Sequence, residues 1–323
     1  MKVGFVGLGN VGGKLAGSLL RNGHEVMVRD LNADFVAAFV ARGATAADTP
    51  KQLAQSCDLL ITCLPSPAAC SAVMEGDDGI IVGLSAGKIW LEMSTTDESE
   101  IRRMGELVKA KGAEAVDCPV SGGCHRADTG NISIFAGCSR ATFERALPIL
   151  TTLGRRVLHT GALGSASKLK VVTNYLATAH LVALGEALTA CKVMDLDMNV
   201  SYAAIKASSG TSFVHETESQ VILNGSRDIN FTVDLVLKDV GLFDTLTKRA
   251  GMQLDLAPLL VDIFTQAQAD WGPREKSPNI IRRYEEPMGV KVLGQGFPAD
   301  IVDDEPEEPG YELLAEGRLD QLG

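Results

Sequence analysis

The sequence has few of the residues that build metal centres, cross-linked scaffolds or nucleic-acid surfaces. Its five histidines show no metal-ligand spacing, and His215-Glu216 lacks the second histidine of a zinc-protease helix. The seven cysteines are odd in number, contain no C-x-x-C pair and lie mostly in apolar segments, where a thiol acts as a small hydrophobe. These features point to reduced thiols in a cytoplasmic protein, with no metal site. Aromatic residues are scarce, at 5%, and no basic cluster accompanies them, so a nucleic-acid partner is not expected. No uninterrupted apolar run reaches the roughly 20 residues needed to cross a bilayer, so no membrane span is expected. The opening MKVGFVGLG has a lysine before apolar residues, as a signal peptide does. Glycines interrupt it and no small-residue cleavage site follows a continuous apolar core, so it reads as a first β-strand.

The length of 323 residues accommodates two domains, each with its own core. The net charge of -11 is unevenly placed. From Glu285 onward eleven acidic residues face only Lys291 and Arg318, leaving the first 284 residues near neutrality. Proline and like charges in DDEPEEPG, residues 303–310, disfavour an independent core. Residues 285–323 are therefore expected to form an acidic extension, either solvated or lying on a neighbouring subunit.

Up to about residue 163, candidate strands alternate with helical periods. Lys2 to Val6 is followed by a helix with Leu15, Leu19 and Leu20 on one side. HEVMVRD (24–30), DLLITCL (58–64), KIWLEMS (88–94) and AEAVDCP (113–119) continue the strand series. That alternation predicts an α/β domain with a parallel sheet covered by helices on both faces. After residue 163 strand punctuation stops. The 29 residues beginning at Ala166 form a helix-length stretch that is apolar or small on most faces, as expected of a long helix buried between two bodies. Helical patterns continue at 199–208 and 233–251, with Gly251 as a stop. The expected organisation is a Rossmann-type domain over 1–163, an all-α domain over 164–284 joined through the long helix, and the extension.

The most informative local pattern is G-x-G-x-x-G at Gly7, Gly9 and Gly12, between the first strand and the first helix. In that context Gly7 permits the tight turn, Gly9 lets a pyrophosphate approach the backbone, and Gly12 lets helix and strand pack closely. Leu8, Asn10 and Val11 complete the turn, and the helix N-terminus supplies N–H groups to phosphates. Asp30, 18 residues after Gly12 at the end of the second strand, suits a ribose 2'-hydroxyl and would repel a 2'-phosphate, which favours NAD. Adjacent Arg29, if turned inward, would instead suit NADP. Farther on, Ser121-Gly122-Gly123 follows what read as the domain's last strands. Backbone N–H groups there can form a nest for a small carboxylate.

Six segments, GLGNVG, CLPSP (63–67), MSTT (93–96), DCPVSGG, GSASKLKVVTN (164–174) and LKDV (237–240), occur in an order that resembles the β-hydroxyacid dehydrogenase family, over roughly residues 1–284. The resemblance implies reversible hydride transfer between NAD and the β-hydroxyl of a small, 3-hydroxyisobutyrate-like hydroxy acid, in a homodimer or homotetramer. It implies that Leu64, Pro65 and Thr95 lie at the cofactor, that Ser121, Gly122 and Gly123 hold the substrate carboxylate, and that Lys238 approaches cofactor and substrate from the helical domain. Asp239 then either orients Lys238 or is only a charge on the helix face. Cys118, Val11, Asn131 and Thr173 depart from the usual family residues, and Cys118 and Thr173 bear on the shape of the substrate pocket. Two other readings are an imine reductase on the same scaffold, which lysine at 170 disfavours, and a non-catalytic dinucleotide-binding or interaction protein.

Of the two lysines in GSASKLKVVTN, aligning Gly164 with the family's first glycine puts Lys170 at the catalytic position and Asn174 at its partner. Helix geometry agrees, since residues four apart share a face while Lys168 points away from Asn174. Lys170 is the expected general acid and base, and Lys168 a solvated charge in the first turn.

Overall fold

The computed structural model describes residues 1–315. The chain divides into two compact units. One is Met1–Lys170 together with the described part of the segment that starts at Asp303, and the other is Val171–Val302.

The first unit is built on one ten-stranded sheet: β1 (Lys2–Val6), β2 (Glu25–Arg29), β3 (Thr45–Ala46), β4 (Leu59–Thr62), β5 (Ile89–Glu92), β6 (Glu114–Asp117), β7 (Val120–Ser121), β8 (Ser133–Gly137), β9 (Arg156–Gly161) and β10 (Tyr311–Glu312). Their spatial order is β10-β9-β8-β6-β5-β4-β1-β2-β3, with β7 pairing beside β8. The register from β3 across to β6 is parallel throughout, and β8 runs antiparallel to β6 and β7. β4 and β5 are buried along their whole lengths, as expected of central strands covered on both faces. Val3, Phe5, Leu15, Leu19, Leu59 and Leu91 form part of one core cluster.

The sheet does not end at β6. The expectation that Ser121-Gly122-Gly123 follows the last strands is corrected by β8, β9 and β10. β8 and β9 mix Ser, Thr, His and Gly with apolar residues and β10 is only Tyr-Glu, so they lack the continuous apolar signal of the central strands.

The acidic extension also departs from expectation. Among its described residues, Glu285 is fully buried in the second unit, where Arg227 Nη2 donates to both its carboxylate oxygens at 2.9 and 2.7 Å and Val292 N donates at 2.7 Å. The part from Asp303 packs on the first unit of its own chain and adds β10 in parallel beside β9. These residues therefore pack on their own chain and do not form a free tail. The part of the expected acidic extension over 316–323 lies outside the described residues.

The second unit is helical. It contains most of Ser165–Val193, then Met198–Lys206, Phe213–Asn224, Val233–Arg249, Leu256–Trp271, a 3-10 turn at Ser277–Ile281, and Arg282–Met288. Gly251, at φ 75°, sits one residue beyond the cap of the Val233–Arg249 helix, as a stop should. Leu188, Ile222, Leu260, Phe264 and Ile281 belong to the core of this unit, and Tyr175 stacks on Phe243 with ring centroids 4.1 Å apart. By length and composition the 29-residue helix Ser165–Val193 is apolar enough to cross a membrane, contrary to the expectation from uninterrupted runs. The core helix of a folded protein meets the same criterion.

Candidate active site

The glycine turn after β1 has the geometry that a dinucleotide requires. Gly7 holds φ at 97°, and a Cβ there would lie 2.2 Å from the Cys63 carbonyl oxygen. A Cβ on Gly12 would lie 2.0 Å from the Gly7 carbonyl oxygen, so this glycine is needed for the helix Gly12–Arg21 to approach the strand. Gly9 is different, because a Cβ there would meet nothing within 4 Å. Its openness fits the place where a pyrophosphate comes close to the backbone. Val11 caps the helix without a side-chain acceptor, which leaves first-turn N–H groups for an anion.

Asp30 is tied into this turn. Its Oδ2 accepts from Leu8 N at 2.6 Å and its Oδ1 from Asn32 N at 2.8 Å, which fixes the carboxylate beside the glycine loop. Each oxygen keeps a second lone pair, so the group can still accept from a ribose hydroxyl. Arg29 donates from Nη1 to the Asp30 carbonyl oxygen.

Two further loops are joined by a polar cluster at the ends of β4 and β5. Glu92 is buried; its Oε2 accepts from Thr62 Oγ1 and Cys70 Sγ, both at 2.6 Å, and its Oε1 accepts from Ser94 N at 2.7 Å. Burial pushes its carboxyl above the usual range, against the pull of these hydrogen bonds. Ser94 Oγ in turn accepts from Leu64 N at 2.7 Å. Leu64 and Pro65 are thereby fastened to the strand end that carries Thr95.

Ser121 lies on β7, opposite Ser133 of β8, and is followed by Gly122 at φ 128° and Gly123 at φ 87°. Both angles favour glycine, and successive residues of this kind turn backbone N–H groups toward one side. The short helix Gly123–Thr129 begins here. Cys118 is fully buried in the apolar core cluster that also holds Ala127 and Ile132, where its thiol fills core space.

The two lysines have different surroundings. Lys168 is 42% exposed at its side chain and pairs with Glu98 at 3.4 Å, while Lys170 is 8% exposed. The start of their helix is held to the sheet by Asp117 at the end of β6, which accepts from Ser167 N and Ser167 Oγ, both at 2.7 Å. Burial raises the Asp117 carboxyl to about 6. Sequence reasoning assigned Asp117 no role, although a carboxylate ending a strand beside a glycine-rich loop was a visible signal.

In the second unit Asn174 Nδ2 donates to Asp239 Oδ2 at 2.5 Å, and Lys238 Nζ lies 2.8 Å from Asp239 Oδ1. Asp239 is buried, so it is more than a surface charge. It joins Asn174 and Lys238, a link that residue spacing did not reveal.

Comparison with known proteins accords with these features. Residues 2–161 match the model of the NAD binding domain of 6-phosphogluconate dehydrogenase. Residues 164–284 match that of the NAD-binding domain of NADP-dependent 3-hydroxyisobutyrate dehydrogenase. A 2-(hydroxymethyl)glutarate dehydrogenase from Eubacterium barkeri is 33% identical over 91% of this chain and 98% of its own length. The chain belongs to the β-hydroxyacid dehydrogenase family. A 3-hydroxyisobutyrate dehydrogenase structure from Salmonella typhimurium has a TM-score of 0.80 at 28% identity, covering 88% of this chain and 99% of that one. An imine reductase from Myxococcus stipitatus, at 16% identity and a TM-score of 0.61 over 88% of this chain and 99% of that one, shares the fold alone. This member is an NAD(P)-dependent hydroxyacid dehydrogenase.

Proposed function

We propose that Lys170 is the general acid and base of this dehydrogenase, that Asn174 sets the direction of its hydrogen bonding, and that Ser121, Gly122 and Gly123 hold the carboxylate of a small, 3-hydroxyisobutyrate-like β-hydroxy acid. The observation that carries the reading is the burial of Lys170 at 8% exposure, on a helix whose first turn is anchored by Asp117. A free lysine amine titrates near 10.4, so base chemistry at moderate pH needs surroundings that disfavour the ammonium, and burial is one such condition.

When bound, the nicotinamide accepts or supplies the hydride. The chain's own part is to position and to move a proton. The Gly7–Gly12 turn would hold the pyrophosphate and Asp30 the adenine-side ribose, while Leu64, Pro65, Thr95 and Lys238 are proposed as further cofactor contacts. In the oxidative direction Lys170 Nζ takes the substrate hydroxyl proton, and in reduction it returns that proton to the carbonyl oxygen. Asn174 Nδ2 donates to Asp239, which fixes the orientation of the amide on this face of the helix. The serine-glycine turn sets the distance between the substrate carbon and the cofactor, which hydride transfer requires to be short.

The test is NADH or NADPH formation with 3-hydroxyisobutyrate, glycerate and 2-(hydroxymethyl)glutarate, each supplied with NAD and with NADP. Turnover of at least one acid, with NAD preferred, is expected. Absence of turnover across the panel, with dinucleotide binding intact, would refute the reading and favour a binding protein. Reduction of cyclic imines in place of hydroxy-acid chemistry would favour the imine reductase.

A further inference from the structure

The segment from Asp303 to Glu312 lies beyond both matched domains, and it is fastened at two places on the first unit. At its far end, Tyr311 N donates to Arg155 O at 2.9 Å and Leu313 N to Val157 O at 2.8 Å. Arg140 grips Glu312 with both terminal nitrogens, at 2.5 and 3.0 Å. Gly310 passes so close to the preceding helix end that a Cβ would lie 2.1 Å from the Gly154 carbonyl oxygen, a path open only to glycine. Close backbone contact and a side-chain fork therefore fix this end in register.

The near end grips a different element. Asp303 has a side chain only 3% exposed; its Oδ2 accepts from Thr129 Oγ1 at 2.5 Å and Asn131 Nδ2 at 2.8 Å. Asn131 Nδ2 donates as well to the Glu305 carbonyl oxygen at 2.7 Å, and Asn131 is itself fully buried. Glu305 pairs with Arg156 on β9, which joins the two ends of the segment electrostatically. Thr129 and Asn131 flank the end of the helix Gly123–Thr129, whose start is the serine-glycine turn.

That helix has little means of ordering itself. It has seven residues, glycine at both caps, and only Ala127 buried. So short a helix is marginal without tertiary anchors. One side is held by the nucleotide-binding helix, through Lys14 to Asp128 at 2.9 Å and Arg21 Nη2 to the Asp128 carbonyl oxygen at 2.6 Å. The other anchor is the Asp303 contact.

We propose that the C-terminal segment is a strap that positions the Ser121–Gly123 turn through Asp303 and Asn131, and so sets affinity for the hydroxy acid and not for the dinucleotide. This rests on the reading of that turn as the carboxylate cradle. Asp303 is a positioning residue that acts through the short helix, while Glu312 only holds the strap to the sheet edge.

The test uses the full chain carrying Asp303→Asn, with Glu312→Gln as control. Steady-state kinetics with the best substrate of the panel, NADH titration, and hydrogen exchange of residues 121–131 are measured on each. Asp303→Asn should raise KM for the hydroxy acid about tenfold, the loss expected for one charge-assisted hydrogen bond. Its kcat should stay within about twofold and its NADH affinity unchanged, with faster exchange in 121–131. Glu312→Gln should lower the melting temperature while leaving KM as it was. Unchanged exchange in Asp303→Asn would overturn the strap, and so would faster exchange with unchanged KM. If no acid is turned over, the functional reading fails on its own, and exchange of 121–131 still decides whether the strap orders the turn.

Discussion

The two sides of the ten-stranded sheet are held by different means. From β2 across β1 and β4 to β5 the strands are short, mainly apolar runs in parallel register, and the groups expected to meet the cofactor sit on turns that include the close backbone approaches at Gly7 and Gly12. From β6 to β10 the strands are less apolar, and the elements beside them are tied by polar contacts: Asp117 to Ser167, Asp303 to Thr129 and Asn131, and Arg140 to Glu312. The first side depends chiefly on shape and apolar burial, with Asp30 and the buried Glu92 tying its loops by hydrogen bonds. The second depends on charged and hydrogen-bonded groups, whose strength follows protonation and exposure. Cofactor binding and proton chemistry should therefore be separable by mutation.

The largest separation is expected from Lys170→Ala. It should lower kcat/KM by about 10²- to 10⁴-fold, the usual contribution of a general acid–base group, with NADH affinity in a fluorescence titration little changed. Wild-type activity in that variant would remove Lys170 from the mechanism.

Next in size is the pH dependence of stability due to Asp117. Its carboxyl titrates at about 6 in the folded chain against 3.8 ordinarily, so the native state binds the extra proton between these values. This group's contribution is fully present below about pH 4, falls as pH rises through 6 and is flat above, a span of about 3 kcal/mol. In denaturant titrations from pH 4 to 7, wild type should lose stability relative to Asp117→Asn as pH rises. Parallel curves would contradict the raised carboxyl.

Asp30→Ala tests the other side of the sheet. The ratio of NAD to NADP affinity should fall about tenfold, because the variant loses an acceptor for the 2'-hydroxyl and a repulsion of the 2'-phosphate. A constant ratio would show that Asp30 serves only its bonds to Leu8 and Asn32.

The smallest effect belongs to Glu308→Gln. Glu308 pairs with Arg155 at the surface and is more than half exposed, so the loss should not exceed about 1 kcal/mol in urea unfolding. A larger loss would mean that the strap depends on its exposed charges as well as on Asp303.

The features legible in the sequence were local ones. The alternation of strands and helices up to β6, the glycine turn, and the separation of Lys168 from Lys170 as two faces of one helix all follow from short-range periodicity. β8 and β9 escaped notice because they mix polar residues and glycine with their apolar ones. Asp117, Asp303 and the link from Asp239 to Asn174 escaped notice because each joins residues distant in sequence, 50, 174 and 65 positions apart.

Composition and spacing by themselves determined a parallel α/β domain followed by helices, a dinucleotide turn and a lysine with an asparagine one helical turn on, since backbone sterics and helix period act within a few residues. Only the tertiary structure decided that the acidic stretch from Asp303 to Glu312 packs on the first unit of its own chain. A run of like charges repels itself in isolation, and it becomes ordered where folding brings Arg126, Arg140, Arg155 and Arg156 to meet it.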